Sequence, residues 1–451
     1  MSTEASGGQA DFKPFFFMWI GQVVSLIGSG LTSFAVGVWV YQETGNVTLF
    51  TLIATSAALP AVVLSPIAGV LVDRFDRKWM LIVSDTGAAL SSLALLLLFR
   101  ADALELWHIY LLVAINAAFN TIQFPAFGAA ITMLIPKKHF GRASGMMQFG
   151  QSGAQVLAPL LAGMLMEWLP IPSIIAIDLT TFGVAVLLLV FLVRVPKPPA
   201  ATGDRPSFWR QVAFGWEYIR DRPGLVALLG YFACINFLLP VSMVLVTPLV
   251  LSFASTDDLG MVLSISSAGM VVGSLVMASW GGPKRRVLGV LGGAPFIVLG
   301  LFVAGFQASV PLIATGMFLF FFVVPLINGS SQAIWQAKVE PAVQGRVFAM
   351  RRMVAQITAP IAFLLAGPLA ERVFVPLLRP EGALAGSLGP WLGTGEGRGI
   401  GLLFMTLATL FLVITVIAYL YPRLRDLEVL VPDAVPETPP VEAEADAEPA
   451  G

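Results

Sequence analysis

Asn116, Asn120 and Gln123 recur at intervals of four and three residues, so on a helix they share one face. Gln148, Gln151 and Gln155 recur at three and four, as do Gln22, Ser25 and Ser29. Asn328, Gln332 and Gln336 follow at four and four, and Asn236 stands alone in a long apolar run. An amide brings one carbonyl acceptor and two N–H donors. Such rows can hydrogen-bond a solute or join neighbouring helices, and the residue types admit both. Asp178 is the acid most enclosed by apolar sequence. A carboxylate placed there can carry a proton or accept structural hydrogen bonds. Asp85 lies near a basic loop and is expected to pair with it. Other chemistry lacks its parts. There is one cysteine, Cys234, and two distant histidines, His108 and His139. No metal-ligand spacing, nucleophile–base set or Gly-rich phosphate loop is seen. The expectation is binding and movement of a solute, with no enzyme activity, cofactor or metal.

The elements that position these residues are set by hydropathy. Of 451 residues 57% are hydrophobic and 12% charged, with mean hydropathy +0.85. Soluble proteins carry about 25% charged residues, so lipid is the expected solvent. The net charge of −1 gives no reason to expect a nucleic-acid partner. Apolar runs over 15–41, 48–72, 79–99, 108–135, 143–168, 172–193, 225–253, 259–281, 287–306, 310–337, 347–376 and 399–421 predict twelve membrane helices. The first run is too long for a signal-peptide core and is expected to remain as a span. With the N-terminus inside, 22 of the 26 Lys and Arg residues fall on the inner side, including Arg351 and Arg352. Only Arg100, Arg372, Arg379 and Arg398 fall outside. Both termini are therefore expected in the cytoplasm.

The organisation reads as a cytoplasmic N-terminus (1–14), a six-helix bundle (15–194), a cytoplasmic linker (195–224), a second six-helix bundle (225–421) and a disordered acidic tail (422–451). In the linker, Ser207 is placed to cap an amphipathic helix whose apolar face is Trp209, Val212, Ala213, Trp216 and Ile219. A shift of 204 residues aligns Gly141-Arg142 with Gly345-Arg346, Leu161-Ala-Gly163 with Leu365-Ala-Gly367, and Glu167 with Glu371. Two parallel repeats joined by a cytoplasmic linker build one class of transporter, with solute sites near the midplane.

The loop Gly69-Val-Leu-Val-Asp73-Arg74-Phe-Asp76-Arg77-Lys78 resembles the major facilitator superfamily signature after helix two, with Asp76 where glycine is usual. Its second-half copy, Trp280-Gly-Gly-Pro-Lys284-Arg-Arg286, lacks the acid. Gly215-Trp-Glu-Tyr-Ile219, Arg222-Pro-Gly-Leu225 and Gln344-Gly-Arg346-Val-Phe348 are similar to the branch of macrolide-efflux proteins and the enterobactin exporter. The fold implied is an all-α membrane protein of two parallel six-helix bundles. The resemblance implies that Gly69, Asp73, Arg74, Arg77 and Lys78 form a gating motif, with Asp73 and Arg77 as a latch. The alternative is that these charges only set topology. Gly153, Pro159 and Gly163 resemble the antiporter signature of helix five, with Ala158 in place of a glycine.

The resemblance implies that helices one, four, seven and ten line the cavity, with two, five, eight and eleven beside them. That puts the amide rows, Asn236 and the helix-one serines at the solute. An apolar cavity dotted with amides suits a bulky amphipathic solute. The function implied is export of a drug, siderophore or other secondary metabolite by proton antiport, through a monomer in a bacterial plasma membrane, in contact with membrane lipid. Asp178 is the proton-coupling candidate, although helix six is peripheral in this fold. A lysophospholipid transporter, a proton-coupled importer, and a membrane scaffold or receptor are the alternatives.

Overall fold

A computed structural model describes residues 13–135, 140–193, 208–340 and 343–434, and every regular element among them is helical. The first bundle is α1 (Lys13–Thr44), α2 (Val47–Arg74), α3 (Arg77–Arg100), α4 (Leu106–Leu134), α5 (Phe140–Trp168) and α6 (Ile171–Phe191). A short helix α7 (Phe208–Arg220) precedes the second bundle. That bundle holds α8 (Pro223–Leu251), α9 (Thr256–Trp280), α10 (Arg286–Gly292), α11 (Ala294–Phe306), α12 (Val310–Lys338), α13 (Gln344–Pro368) and α16 (Glu396–Leu420). After α13 the chain runs through a π-helical stretch, Leu369–Phe374, into α14 (Val375–Leu377), and α15 (Gly389–Leu392) lies in the loop beyond. Two short helices, α17 (Pro422–Arg425) and α18 (Leu427–Leu430), end the described chain.

Eleven segments among the described residues are long and apolar enough to cross a bilayer, α10 and α11 together forming one of them. The expected twelfth is α5, whose glutamines dilute its apolar character. Its 29 residues run about 43 Å, more than the roughly 30 Å of a hydrocarbon core. The ninth span, expected to be continuous, breaks between α10 and α11 at Gly293. Local sequence sets the helix starts. Asn46 accepts from Leu49 N at 2.8 Å to cap α2, and Asp76 accepts from Lys78 N at 2.8 Å to cap α3. Ser255 and Asp258 form a capping box on α9, which ends at Gly281 with φ +75°.

The same packing scheme recurs in both halves. In the first, α1 packs on α5 and α6, α4 on α2 and α3, and α3 on α6. In the second, α8 packs on α13 and α16, α12 on α9 and α11, and α11 on α16. The halves meet through α5 on α9 and α2 on α13, a pseudo-symmetric pair. The hydrogen bonds described between the halves lie toward the end that carries the α1–α2 turn. Tyr41 Oη donates to Pro248 O at 3.5 Å, Gln42 Nε2 to Thr256 Oγ1 at 3.3 Å, and Ser264 Oγ to Val156 O at 2.7 Å. Close backbone approach seals the same end. A Cβ on Gly260 would lie 2.6 Å from the Pro159 carbonyl oxygen, and one on Gly367 would run into the Thr48 backbone.

Several sequence expectations are corrected. Arg351 and Arg352, assigned to the basic loops, lie about two turns inside α13, because that helix begins at Gln344. The stretch from 422, expected to be disordered, is docked as far as Ala434. Leu424 and Leu427 are fully buried, and Lys338 Nζ donates to the carbonyls of Glu428 (2.7 Å) and Val431 and pairs with Asp433 at 2.8 Å. The acid-rich composition of the whole tail hid two leucines with a partner surface. Asp85 pairs with Gln123 of α4 rather than with the basic loop, since it too lies about two turns into its helix. In α7, Ile219 is buried while Trp216, expected on the same apolar face, is 42% exposed. Ser207 lies outside the described residues, as do the side chains of Trp209, Val212 and Ala213.

Candidate functional site

Two adjoining cavities lie against α4, one of about 1070 Å³ and one of about 240 Å³, and both are lined by Ser29 and Asn120. The larger is walled by α1, α2, α3 and α4, with Asp178 from α6 and Arg352 from α13. The smaller lies between α1, α4 and α5 and is lined by Gln22, Ser25, Gln123 and Gln151 among others.

The α4 amides form a connected row. Asn120 Nδ2 donates to Asn116 Oδ1 at 2.6 Å, and Asn116 Nδ2 donates to Ala88 O of α3 at 3.3 Å. Gln123 Nε2 donates to Gln22 Oε1 of α1 at 3.3 Å and also to Asp85. Each of these amides spends part of its hydrogen-bonding capacity on the protein while facing a cavity. A solute entering here meets a pre-oriented polar strip in otherwise apolar walls, the usual construction of a small-molecule site.

Asp178 reaches the cavity through close helix packing. Gly28 of α1 has no room for a side chain, because Thr181 and Asp178 of α6 press against it. At that approach Ser29 Oγ donates to Asp178 Oδ1 at 3.4 Å and Ser92 Oγ of α3 donates to Oδ2 at 3.1 Å. Through this packing α6 presents its carboxylate to a cavity walled mainly by other helices. Sequence reasoning misses Ser92 and Arg352, which line the larger cavity, and Asp85, which holds Gln123 from behind. Adjacent serines at 91 and 92 in an apolar helix are the available signal for the first.

The remaining expected residues are scattered. Gln155, Asn328 and Gln336 are exposed, and neither cavity includes them. Gln332 accepts from Arg351 at 2.8 Å, and Asn236 offers its backbone carbonyl to Thr358 Oγ1 at 3.1 Å. The second-half amides therefore do not line these cavities. Gly163 packs on Thr256 and Gly260, Pro159 lies inside α5 with its carbonyl against Gly260, and a Cβ added at Gly153 would have no neighbour within 4 Å. In the proposed gating loop, Lys78 Nζ donates to Val190 O at 2.9 Å and Val193 O at 2.7 Å, closing the end of α6. The surroundings of Gly69 and the side chains of Asp73, Arg74 and Gln148 lie outside the described residues.

Comparison with known proteins accounts for this architecture. The family model of the Major Facilitator Superfamily matches residues 18–363. Macrolide efflux protein A of Streptococcus pyogenes is 28% identical over 377 residues, covering 80% of this chain and 90% of that protein. The multidrug efflux pump Tap of Mycolicibacterium fortuitum is 23% identical over 428 residues, covering 92% and 97%. A solved bacterial homolog of the human lysosomal transporter Spinster, inward-facing and unoccupied, matches with a TM-score of 0.70 at 13% identity over 93% of this chain and 98% of that one, a likeness of fold. The chain belongs to the Major Facilitator Superfamily and is a multi-pass membrane transporter similar to its macrolide-efflux branch.

Proposed function

We propose that this transporter exports a bulky amphipathic solute by proton antiport with alternating access. The observation that carries the reading is the larger cavity, about 1070 Å³, apolar in most of its wall, with Asn116, Asn120 and Asp178 facing it. The sizes suit a drug or secondary metabolite rather than a small ion. The macrolide and multidrug pumps similar to this chain support the same class of solute.

The basic loops argue that the Arg77 and Arg285 end is cytoplasmic, because Lys and Arg are retained on that side. The sealed end, at the α1–α2 turn, then faces outward, and the cavity receives solute from the cytoplasm or inner leaflet. Rocking of one bundle against the other breaks the seal and exposes the same site outside. Asp178 is the carboxylate in a position to take up a proton when the cavity faces out and release it inside.

The test is reconstitution of the purified protein into vesicles with an imposed pH gradient, using a radiolabelled macrolide, ethidium and a lysophospholipid. Gradient-driven movement of the macrolide or ethidium is expected, collapsing when the pH gradient is dissipated. Movement of the lysophospholipid alone, or no movement of any of them, overturns the reading.

A further inference from the structure

Among the described residues, the wall of the larger cavity comes from the first bundle apart from one. Arg352 of α13 is that exception. It lies eight residues past Gln344, the start of α13, which is about 12 Å along the helix axis. A charged side chain at such a position, facing a cavity, marks the route of a solute or ion.

The adjacent arginine has a different task. Arg351 Nη1 donates to Gln332 Oε1 at 2.8 Å and Nη2 to Ser331 Oγ at 3.2 Å. Its guanidinium carbon lies 5.4 Å from the Trp335 ring centre and 5.9 Å from that of Phe232. These contacts tie it into the second bundle. Arg352, one residue on and turned by about 100°, is exposed and makes no hydrogen bond or ion pair with another described residue.

The cavity also holds a carboxylate, Asp178, but it is engaged by Ser29 of α1 and Ser92 of α3 and makes no described ion pair with Arg352. One cavity thus presents a guanidinium without an acceptor among the described residues and, separately, a carboxylate held by hydroxyls. Guanidinium offers a planar fork of N–H donors and no acceptor, a shape matched to a carboxylate or phosphate. Lysine in its place keeps a point charge and loses the fork.

We propose that Arg352 binds the anionic group of the transported solute, and that the cavity takes amphoteric amphiphiles whose carboxylate meets Arg352 while an amine or hydrogen-bonding end meets Asp178. The assignment rests on the export reading in so far as the cavity is the solute site. It adds that the second bundle contributes the determinant of charge specificity. Because Arg352 and Asp178 sit on different bundles, an amphoteric solute bridges the two halves, and their relative motion acts directly on its two ends.

The test compares ciprofloxacin, which carries a carboxylate and an amine, with its decarboxylated analogue, which keeps only the amine. Binding is measured by equilibrium dialysis on the full-length protein in an uncharged maltoside detergent, so that no lipid phosphate competes. The wild type is expected to bind ciprofloxacin about tenfold more tightly than the analogue. Arg352→Gln is expected to remove that preference while changing the analogue's affinity less than about threefold, and Arg352→Lys to keep part of it. The analogue reports whether the cavity is intact. A wild type without the preference, an Arg352→Gln variant that retains it, or an Arg352→Lys variant that binds both compounds equally each overturn the assignment. If Arg352→Gln instead weakens only the binding of added phosphatidylglycerol, the anion is a lipid's and the proposal fails. In the pH-gradient vesicles, movement of both compounds without an Arg352-dependent preference defeats this assignment alone, whereas failure of any probe to move defeats the export reading.

Discussion

Glu371 of the second bundle grips the first turn of α2 in the first bundle, accepting from Val47 N at 2.5 Å and from Thr48 Oγ1 at 2.5 Å. Its repeat-mate Glu167 makes no equivalent grip among the described residues. It is exposed at the end of α5, and the α9 helix start that it would reach already carries Asp257 and Asp258 and its own Ser255 cap. The seal at the α1–α2 end is therefore symmetric in its helix contacts and asymmetric in its charge. Hydrogen bonds to a charged acceptor are worth about 1.5–3 kcal/mol, tenfold or more in a two-state ratio. Glu371→Gln keeps the side chain's size and is expected to populate the outward-open state about tenfold more. The measurement is labelling of a cysteine at Ser33, which lines the cavity, by an impermeant maleimide from outside, with the exposed Cys234 replaced by Ser. Equal labelling rates with and without Glu371 show that its grip on α2 does not hold the seal closed.

Glycine positions in α5 and its partner α9 divide by geometry. A Cβ on Gly260 meets the Pro159 carbonyl oxygen at 2.6 Å and one on Gly163 meets the Thr256 carbonyl oxygen at 3.1 Å, while Gly153 has nothing within 4 Å. Backbone atoms cannot yield as side chains do, so Gly260→Ala is expected to pry the seal and Gly163→Ala to strain it. Overpacking of this kind costs about 1–3 kcal/mol. Gly153→Ala is expected to be neutral or slightly stabilising, as replacement of a helical glycine usually is. Thermal unfolding in detergent orders the three variants. A Gly153→Ala protein that is less stable than Gly260→Ala contradicts the packing described for this seal.

What can be read from the chain depends on how far each residue's partner lies from it. The α4 amides are legible because spacing alone puts Asn116, Asn120 and Gln123 on one face, and the structure gives them a shared polar row. The two-bundle fold is legible from hydropathy, the basic loops and the 204-residue shift. Glu371 shows only as an echo of Glu167, since its partners are more than 300 residues away. Arg351 and Arg352 read as loop charges because a pair of arginines outweighs the helix around it. The second-half rows fail for the converse reason. Asn328, Gln332 and Gln336 have the right spacing, but Gln332 serves Arg351 and the other two are exposed. Periodicity identifies a shared face without saying what that face meets.

Asp178 offers a division between binding and coupling. Asparagine has the same shape and still accepts from Ser29 or Ser92, but it cannot exchange a proton. Asp178→Asn is expected to lower pH-gradient-driven export at least tenfold, a loss typical of removing a positioned acid–base group, while leaving gradient-free exchange of a solute that carries no amine within about threefold of wild type. Full gradient-driven export by the variant excludes Asp178 as the coupling site. Loss of that amine-free solute's exchange together with export shows that the carboxylate holds the cavity itself rather than coupling alone.

The second-half basic loop lacks its own acid, and the C-terminal segment supplies one. Glu428 accepts from Arg286 N at 3.1 Å and Val287 N at 3.0 Å, capping α10 from more than 140 residues away, as Asp76 caps α3 locally. Lys338, only 5% exposed, holds the same segment in place through Glu428 O, Val431 O and Asp433. Loss of a cap costs about 0.5–2 kcal/mol, so Glu428→Ala is expected to lower the unfolding temperature of the second bundle. Ending the chain after Ala434 is expected to leave it unchanged, and ending it after Tyr421 to lower it further, because Leu424 and Leu427 lose their burial. Acid adds a second handle. Arg425 beside Asp426 holds that carboxyl below its usual value, with Arg285 adding to the effect. A lowered native value means that the stabilising contribution is present at neutral pH and fades as the pH falls below the ordinary aspartate range. Melting curves of the Glu428→Ala protein and the two shortened chains at neutral and acidic pH check both points. Equal melting of the chains ending at Ala434 and Tyr421 shows that the segment does not brace the bundle.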